Sequence, residues 1–184
     1  VPDDAAARFP AVVTAAEAPE HKARGRNVLV SKDQGKGMAA IRGWIVRYAQ
    51  QHGHDHIAIL DDDLTFQVAK DGKIPNASFE EQREAIEWMD ETLNEVPLCA
   101  LGVRFLEYDN DQPYVECCRG MQALGLDTRW AKGYGVNFDR NGVPPWFPMD
   151  DFHITLQTLT RGFPNRVSLK YRTCPAPANA PGGC

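Results

Sequence analysis

His56-Ile-Ala-Ile-Leu-Asp-Asp-Asp-Leu-Thr-Phe66 is the stretch on which the fold and the candidate chemistry of this chain turn. Apolar residues run without interruption into three carboxylates, Asp61, Asp62 and Asp63. A short apolar run bounded in this way predicts a buried strand with the acids at its carboxyl end. In open α/β sheets ligands bind beyond that end of the strands, so the triplet marks a candidate site. Adjacent carboxylates repel one another unless a cation or a donor-rich partner offsets their charge. On a strand Asp61 and Asp63, two apart, point to the same side and can grip one hard divalent ion such as Mn or Mg. Capping or a turn needs one acid, not three directly after a buried strand.

The flanking sequence sets this strand in an α/β pattern. Phe9–Thr14 and Asn27–Ser31 are apolar and β-rich, and the glycines and charges of Lys32–Gly37 mark a loop. Met38–Gln51 then carries Ile41, Ile45 and Tyr48 at helical spacing, with Trp44 nearby, and Gly53 ends the helix. Strand, helix, strand is the unit that builds a parallel sheet. Gln67–Asn76 is polar and loop-like. Ser78 and Glu81 form a capping box at the start of a helix whose apolar face is Ile86, Met89 and Leu93, stopped by Pro97. Leu98–Leu106 and Tyr114–Cys118 read as strands, and Trp130–Phe138 as a further one whose glycines permit close backbone approach. Asn141–Pro145 reads as a turn, Asp150 to about Arg161 as a helix, and Arg166–Tyr171 as a last strand. The expectation is one domain over residues 1–184, an α/β, GT-A-like (Rossmann-like), mostly parallel central sheet flanked by helices. Residues 173–184 read as a loop-like tail, and both ends as cut close to structure.

Composition narrows the function classes. The 184 residues carry 20 Lys+Arg against 25 Asp+Glu, a formal charge of -5, which excludes a globally basic nucleic-acid binder but not a local basic patch. Hydrophobic content of 43% is that of a soluble globular protein, and no apolar run approaches the ~20 residues of a membrane helix. The acidic start, Val1-Pro-Asp-Asp, lacks a signal pattern, so a cytoplasmic protein is expected. Five cysteines, odd in number and irregularly spaced, fit reduced thiols rather than a disulfide framework or a zinc site.

Two chemistries suit the acids. Asp61-x-Asp63-x-Thr65 after an apolar strand also fits haloacid-dehalogenase-type phosphatases, with Asp61 as nucleophile and Asp63 as acid/base. That motif usually ends the first strand of its chain, and the second acidic pair here, Asp150-Asp151, follows Pro144-Pro-Trp-Phe-Pro148, which is unsuited to a central strand. The other chemistry is transfer from a nucleotide-diphosphate sugar. A cation on Asp61 and Asp63 offsets the charge of the leaving diphosphate, and a carboxylate across the cleft, Asp151, deprotonates the attacking hydroxyl. Asp150 and Asp151 also read as ordinary helix capping, Arg42 as a solvated helix residue, His153 as a packed one, and Trp146 and Phe147 as loop packing or a stacking platform.

The opening strands, the Gly35-Lys-Gly-Met-Ala-Ala-Ile-Arg42 turn into a helix, Leu60-Asp-Asp-Asp-Leu64 and Met149-Asp-Asp-Phe-His153 together resemble a GT-A-type glycosyltransferase. More narrowly, the chain from about Phe9 onward is similar to phage-encoded TET-associated glycosyltransferases, which modify hydroxymethylated pyrimidines in DNA. The resemblance implies that Asp61 and Asp63 bind the metal, that Asp62 contacts the donor sugar or ribose, and that Arg42 faces the donor nucleotide. It implies Asp151 at the acidic position that serves as base in inverting members, retaining members also bearing a carboxylate nearby, and Gly133 and Tyr134 in a loop beside donor and acceptor. It also implies a nucleotide-sugar donor, a DNA acceptor and, for a phage protein, the host cytoplasm. No His follows His153, where many GT-A enzymes supply a late metal ligand, and a degenerate binding module is the non-enzyme alternative. Lys22, Arg24, Arg26, Lys32 and Lys36 form the basic cluster available to DNA.

Overall fold

The computed structural model describes residues 9–33, 36–103, 112–138 and 149–175. Strand β1 (Ala11–Val13), helix α1 (Ala18–Ala23) and strand β2 (Val28–Val30) form a parallel unit in which Ala11 pairs with Val28 and Val13 with Val30. Gly37, at φ 87°, turns the chain into α2 (Met38–Gln51), a conformation that glycine adopts without steric cost. The buried stripe of α2 is Ala39, Arg42, Gly43, Val46 and Ala49, turned from the Ile41–Ile45–Tyr48 face that its larger apolar residues suggest. Small side chains let the helix approach the sheet closely, and this rotation carries Arg42 inside.

The main sheet is mixed. In order it is β3 (His56–Leu60), β7 (Ala123–Asp127), β5 (Leu98–Val103), β8 (Arg166–Pro175) and β4 (Leu64–Val68), with β6 (Tyr114–Glu116) also on β8. The α/β architecture with one central sheet between helices is as expected. Within the sheet β5 and β8 run parallel, while the β3–β7, β5–β7, β4–β8 and β6–β8 pairs are antiparallel.

Alternation of side chains through the sheet builds two cores. Leu98 and Ala100 of β5, Ile59 of β3, Leu124 and Leu126 of β7 and Val167 of β8 pack with Val46 of α2 and with Ile154 of α5 (Asp150–Thr160). Cys99 and Leu101 point the other way, onto Leu64, Phe66, Val68 and the helix α3 (Phe79–Thr92) through Ala85 and Met89. The expected capping box starts α3: Glu81 N–H donates to Ser78 Oγ at 3.3 Å and Ser78 N–H to Glu81 Oε2 at 2.8 Å.

Three segments depart from the sequence reading. Leu64–Val68 is strand β4, its buried Leu64, Phe66 and Val68 alternating beneath what looks like a polar connection. Ala123–Asp127 is strand β7, and the strand expected over Trp130–Phe138 is instead helix α4 (Thr128–Gly133) followed by a turn. Asp127 sets that boundary by accepting the N–H groups of Arg129 at 2.8 Å and Trp130 at 3.0 Å, as an N-cap does. Strand β8 continues past Tyr171 to Pro175, into the segment read as tail. It bulges on the way: Ala100 pairs with Val167 but Gly102 with Arg172. At Gly102 a Cβ atom would lie 2.4 Å from the Ser168 carbonyl oxygen. Gly102→Ala is therefore expected to destabilise the fold by about 1–3 kcal/mol in urea unfolding; an unchanged midpoint would show that the bulge relaxes freely.

Candidate active site

Strand β3 stops at Leu60, opposite Ala123 of β7. Asp61 follows with its N–H bonded to the Gln122 carbonyl at 3.2 Å. Asp62 and Asp63 then form a turn that leads directly into β4. The triplet is thus a connection between two strands that pair with different partners, not the end of the strand itself, so the same-side geometry of a strand does not apply to Asp61 and Asp63. They remain close enough that Asp63 acts on the ionisation of Asp61.

Arg42 ties this connection to the distant acid pair. Its guanidinium donates from Nη2 to Asp61 Oδ1 at 2.5 Å and from Nη1 to Asp150 Oδ2 at 2.9 Å. The residue is only 4% exposed. Both terminal nitrogens are therefore engaged within the protein, and the buried Nε has no partner. Expected to face the donor nucleotide, Arg42 is buried and bridges Asp61 and Asp150.

Asp150 and Asp151 open α5, and both are buried. Met149, at φ 83°, occupies the N-cap position without a side-chain cap bond. Asp151 does accept the Phe152 N–H at 2.8 Å, but the two carboxylates bond chiefly to arginines rather than capping the helix. The partner of Asp151 is Arg119, which sequence reasoning passed over. Arg119 Nη2 donates to Asp151 Oδ2 at 2.8 Å and to Oδ1 at 3.1 Å, and Nε to Oδ2 at 3.2 Å. It lies between β6 and β7, in Cys117-Cys118-Arg119-Gly120, where nothing in the local pattern points to a site. The nearest signal is Gly120, whose Cβ would meet Ala100 Cβ at 2.8 Å and Leu124 Cδ2 at 3.0 Å.

The structure thus unites Asp61, Asp63, Arg42, Asp150 and Asp151, and adds Arg119. It does not bring Gly133 and Tyr134 to them. Asp127 pairs with His56, at the amino end of β3, and Thr128 N–H bonds the Asp55 carbonyl at 2.8 Å, so α4 sits at the opposite end of β3 from the triplet. The Tyr134 carbonyl accepts from Arg161 Nε at 3.2 Å, at the far end of α5. At 1.5 Å per residue that helix puts roughly 15 Å between Arg161 and the acids. The Tyr134 ring packs instead with Trp130 and Phe163, at centroid distances of 5.5 and 4.9 Å. Trp146, Phe147 and the turn over 141–145 lie outside the described residues. Of the basic cluster, Arg24 pairs with Glu20 at 2.7 Å and Lys36 with Asp33 at 2.9 Å, while Lys22 and Lys32 are exposed.

Among the described residues Arg42 bridges Asp61 and Asp150, Arg119 pairs with Asp151, and Asp63 lies near enough to Asp61 to act on its ionisation. Burial pushes the Asp61 carboxyl above its ordinary value, and Asp63 and Asp150 push it further. Arg42 opposes the shift without cancelling it. For Arg42 burial acts downward, but Asp61 and Asp150 outweigh it and hold the guanidinium charged. Among the described residues no three His, Cys, Asp or Glu side chains converge as a metal cage made by protein alone requires. A Mg ion bound through one or two carboxylates, with substrate phosphates and water completing its shell, needs no such cage. Asp61 and Asp63 are the carboxylates of this turn that would hold an ion of that kind.

Residues 9–167 match the family described as TET-Associated Glycosyltransferase. The chain belongs to this family. No curated protein matches it. Among solved structures it is similar to S. aureus TarS 1–349 in complex with UDP-GlcNAc, with 12% identity and a TM-score of 0.49, over 96% of this chain and 52% of that one. The chain spans about half the length of that solved chain. The family assignment favours sugar transfer over the phosphatase alternative. No described helix of this glycosyltransferase-family chain is long and apolar enough to cross a membrane.

Two outcomes test the cluster. Arg42→Met leaves Asp61 and Asp150 facing each other without their cation and is expected to cost about 3–5 kcal/mol of stability at pH 7, read by urea unfolding. The second concerns pH. Because the folded-state pKa of Asp61 is raised, its protonation favours the folded form; that contribution is complete below about pH 4 and is lost as pH rises through the folded value. Wild-type stability relative to Asp61→Asn should therefore decline from pH 4 toward neutrality. A rise over that range would mean that Arg42 dominates the site.

Proposed function

We propose that the chain transfers a sugar from a nucleotide-diphosphate sugar, of the UDP type, to a hydroxyl group. The observation that carries this reading is the joining of the Asp61–Asp63 connection to the Asp150–Asp151 helix start through one buried arginine. It sets a cation-seeking acid pair beside a second, separately held carboxylate, the two functions that such a transfer needs. Asp61 and Asp63 would hold Mn or Mg, which when bound offsets charge on the leaving diphosphate. Asp62, exposed in the turn, would contact donor sugar or ribose. Arg42 serves the donor indirectly, by fixing Asp61.

Asp151 is the proposed base. Its carboxylate is held by the Arg119 guanidinium and the Phe152 N–H. In the reaction Asp151 takes the hydroxyl proton, and the acceptor oxygen bonds to the anomeric carbon. The bond from that carbon to the diphosphate oxygen breaks, and the diphosphate leaves with the electron pair. A 5-hydroxymethylpyrimidine in DNA is the proposed acceptor, and a phage origin with the host cytoplasm as its setting is proposed with it. These follow from the sequence resemblance, with exposed Lys22 and Lys32 available to backbone phosphates. Acting on a base in duplex DNA would require its extrusion from the stack.

A thermal-shift screen of nucleotide diphosphates and nucleotide sugars, with and without Mn, tests the donor site. Stabilisation by one nucleotide only with metal, abolished in Asp61→Asn, is expected; metal-independent stabilisation would remove the metal from this reading. Asp151→Asn should keep the donor shift but lose about 10²–10⁴-fold in transfer to a 5-hydroxymethylcytosine oligonucleotide. Unchanged turnover would take the base role from Asp151.

A further inference from the structure

Arg119 is built into the site in a way that a surface ion pair is not. Its guanidinium meets both oxygens of Asp151 through Nε and Nη2, so the fork fixes the plane of the carboxylate and not only its position. On its other side it lies 5.7 Å from the centroid of the Phe152 ring. Asp151 is buried, whereas the Arg119 side chain is 38% exposed and reaches the carboxylate from the solvent side.

The backbone that carries Arg119 is held at several points. Cys117 and Gln122 both adopt positive φ, at 54° and 52°. Gly120 has no room for a Cβ atom between Ala100 and Leu124. The wholly buried Asn165 receives the Cys117 N–H at its carbonyl, at 3.1 Å, and donates from Nδ2 to the Cys118 carbonyl at 2.6 Å. At the far end of the same connection the Gln122 carbonyl accepts the N–H of Asp61. One short, braced segment therefore touches both halves of the site: its backbone meets the proposed metal ligand, and its one cation grips the proposed base.

We propose that Arg119 is a positioning residue for the transfer step, orienting the Asp151 carboxylate toward the acceptor hydroxyl while the 117–122 connection keeps it in register with Asp61. The inference rests on Asp151 being the base. Arg119 itself touches no reacting atom. A base must sit within hydrogen-bond reach of the proton it takes, and small misplacements cost large factors in rate. Loss of the fork should therefore lower kcat and leave donor affinity alone.

The test compares Arg119→Ala, Arg119→Lys and Asp151→Asn with wild type, using the nucleotide sugar selected by the thermal-shift screen and a 5-hydroxymethylcytosine oligonucleotide. Arg119→Ala should lose on the order of 100-fold in kcat, with donor KM and the donor-induced melting shift within about twofold of wild type. Arg119→Lys, a point charge without the fork, should recover only a minor part of the rate. Millimolar guanidinium should raise the rate of Arg119→Ala several-fold and do nothing for Asp151→Asn. Wild-type kcat in Arg119→Ala, or full activity in Arg119→Lys with no guanidinium rescue, would overturn the inference while Asp151→Asn stays inactive. Transfer by Asp151→Asn would instead remove the base reading, and a wild-type protein that no nucleotide sugar stabilises would remove the transferase reading and this one with it. If Arg119→Ala does not fold, the Arg119→Lys rate decides.

Discussion

A single guanidinium, buried in the stripe by which α2 packs on the sheet, holds two segments that are 108 residues apart in the case of Asp150 and 19 in that of Asp61. Burying a charge is costly unless it is paired and hydrogen-bonded, and Arg42 meets that condition through two carboxylates from separate elements. The consequence runs both ways. Asp61 is drawn to the carboxyl end of β3 and Asp150 to the start of α5, so the relative placement of strand, helix and turn follows from one ion-pair bridge. The small neighbours of Arg42 on α2, Ala39, Gly43 and Ala49, are what let its side chain lie inside.

Burial raises the pKa of Asp61 against the opposing pull of Arg42, and Asp63 and Asp150 add to the shift. The two Arg–Asp pairs also differ in kind: Arg42–Asp150 is enclosed, and Arg119–Asp151 opens to solvent.

Much of the frame was legible from the chain. The start of α2 after Gly37, the capping box of α3, the helix from Asp150 and strands β3, β5 and β6 all follow from local pattern, because caps and periodicity act within a few residues. Two strands were not. In β4, Leu64, Phe66 and Val68 alternate with Thr65 and Gln67 immediately after the acids, so the charge of the triplet masked the period. In β7, Gly125 reads as a breaker, yet it is required because a Cβ there would meet Cys99 Sγ at 2.6 Å. The strand pattern of Trp130–Phe138 gives way to α4 because Asp127, at the end of β7, caps that helix.

The site divides along the same line. Sequence alone marked Asp61–Asp63 and Asp150–Asp151 as unusual, since carboxylates placed against apolar runs are costly wherever they fold, and it brought Arg42 to notice through a family likeness. Only the tertiary structure decided that Arg42 faces inward, that Gly133 and Tyr134 sit at the other end of α5, and that Arg119 belongs with Asp151. These are statements about which distant elements meet. Helix rotation and strand order set those meetings, and both depend on how small and large side chains pack across the sheet, which no local window of sequence records.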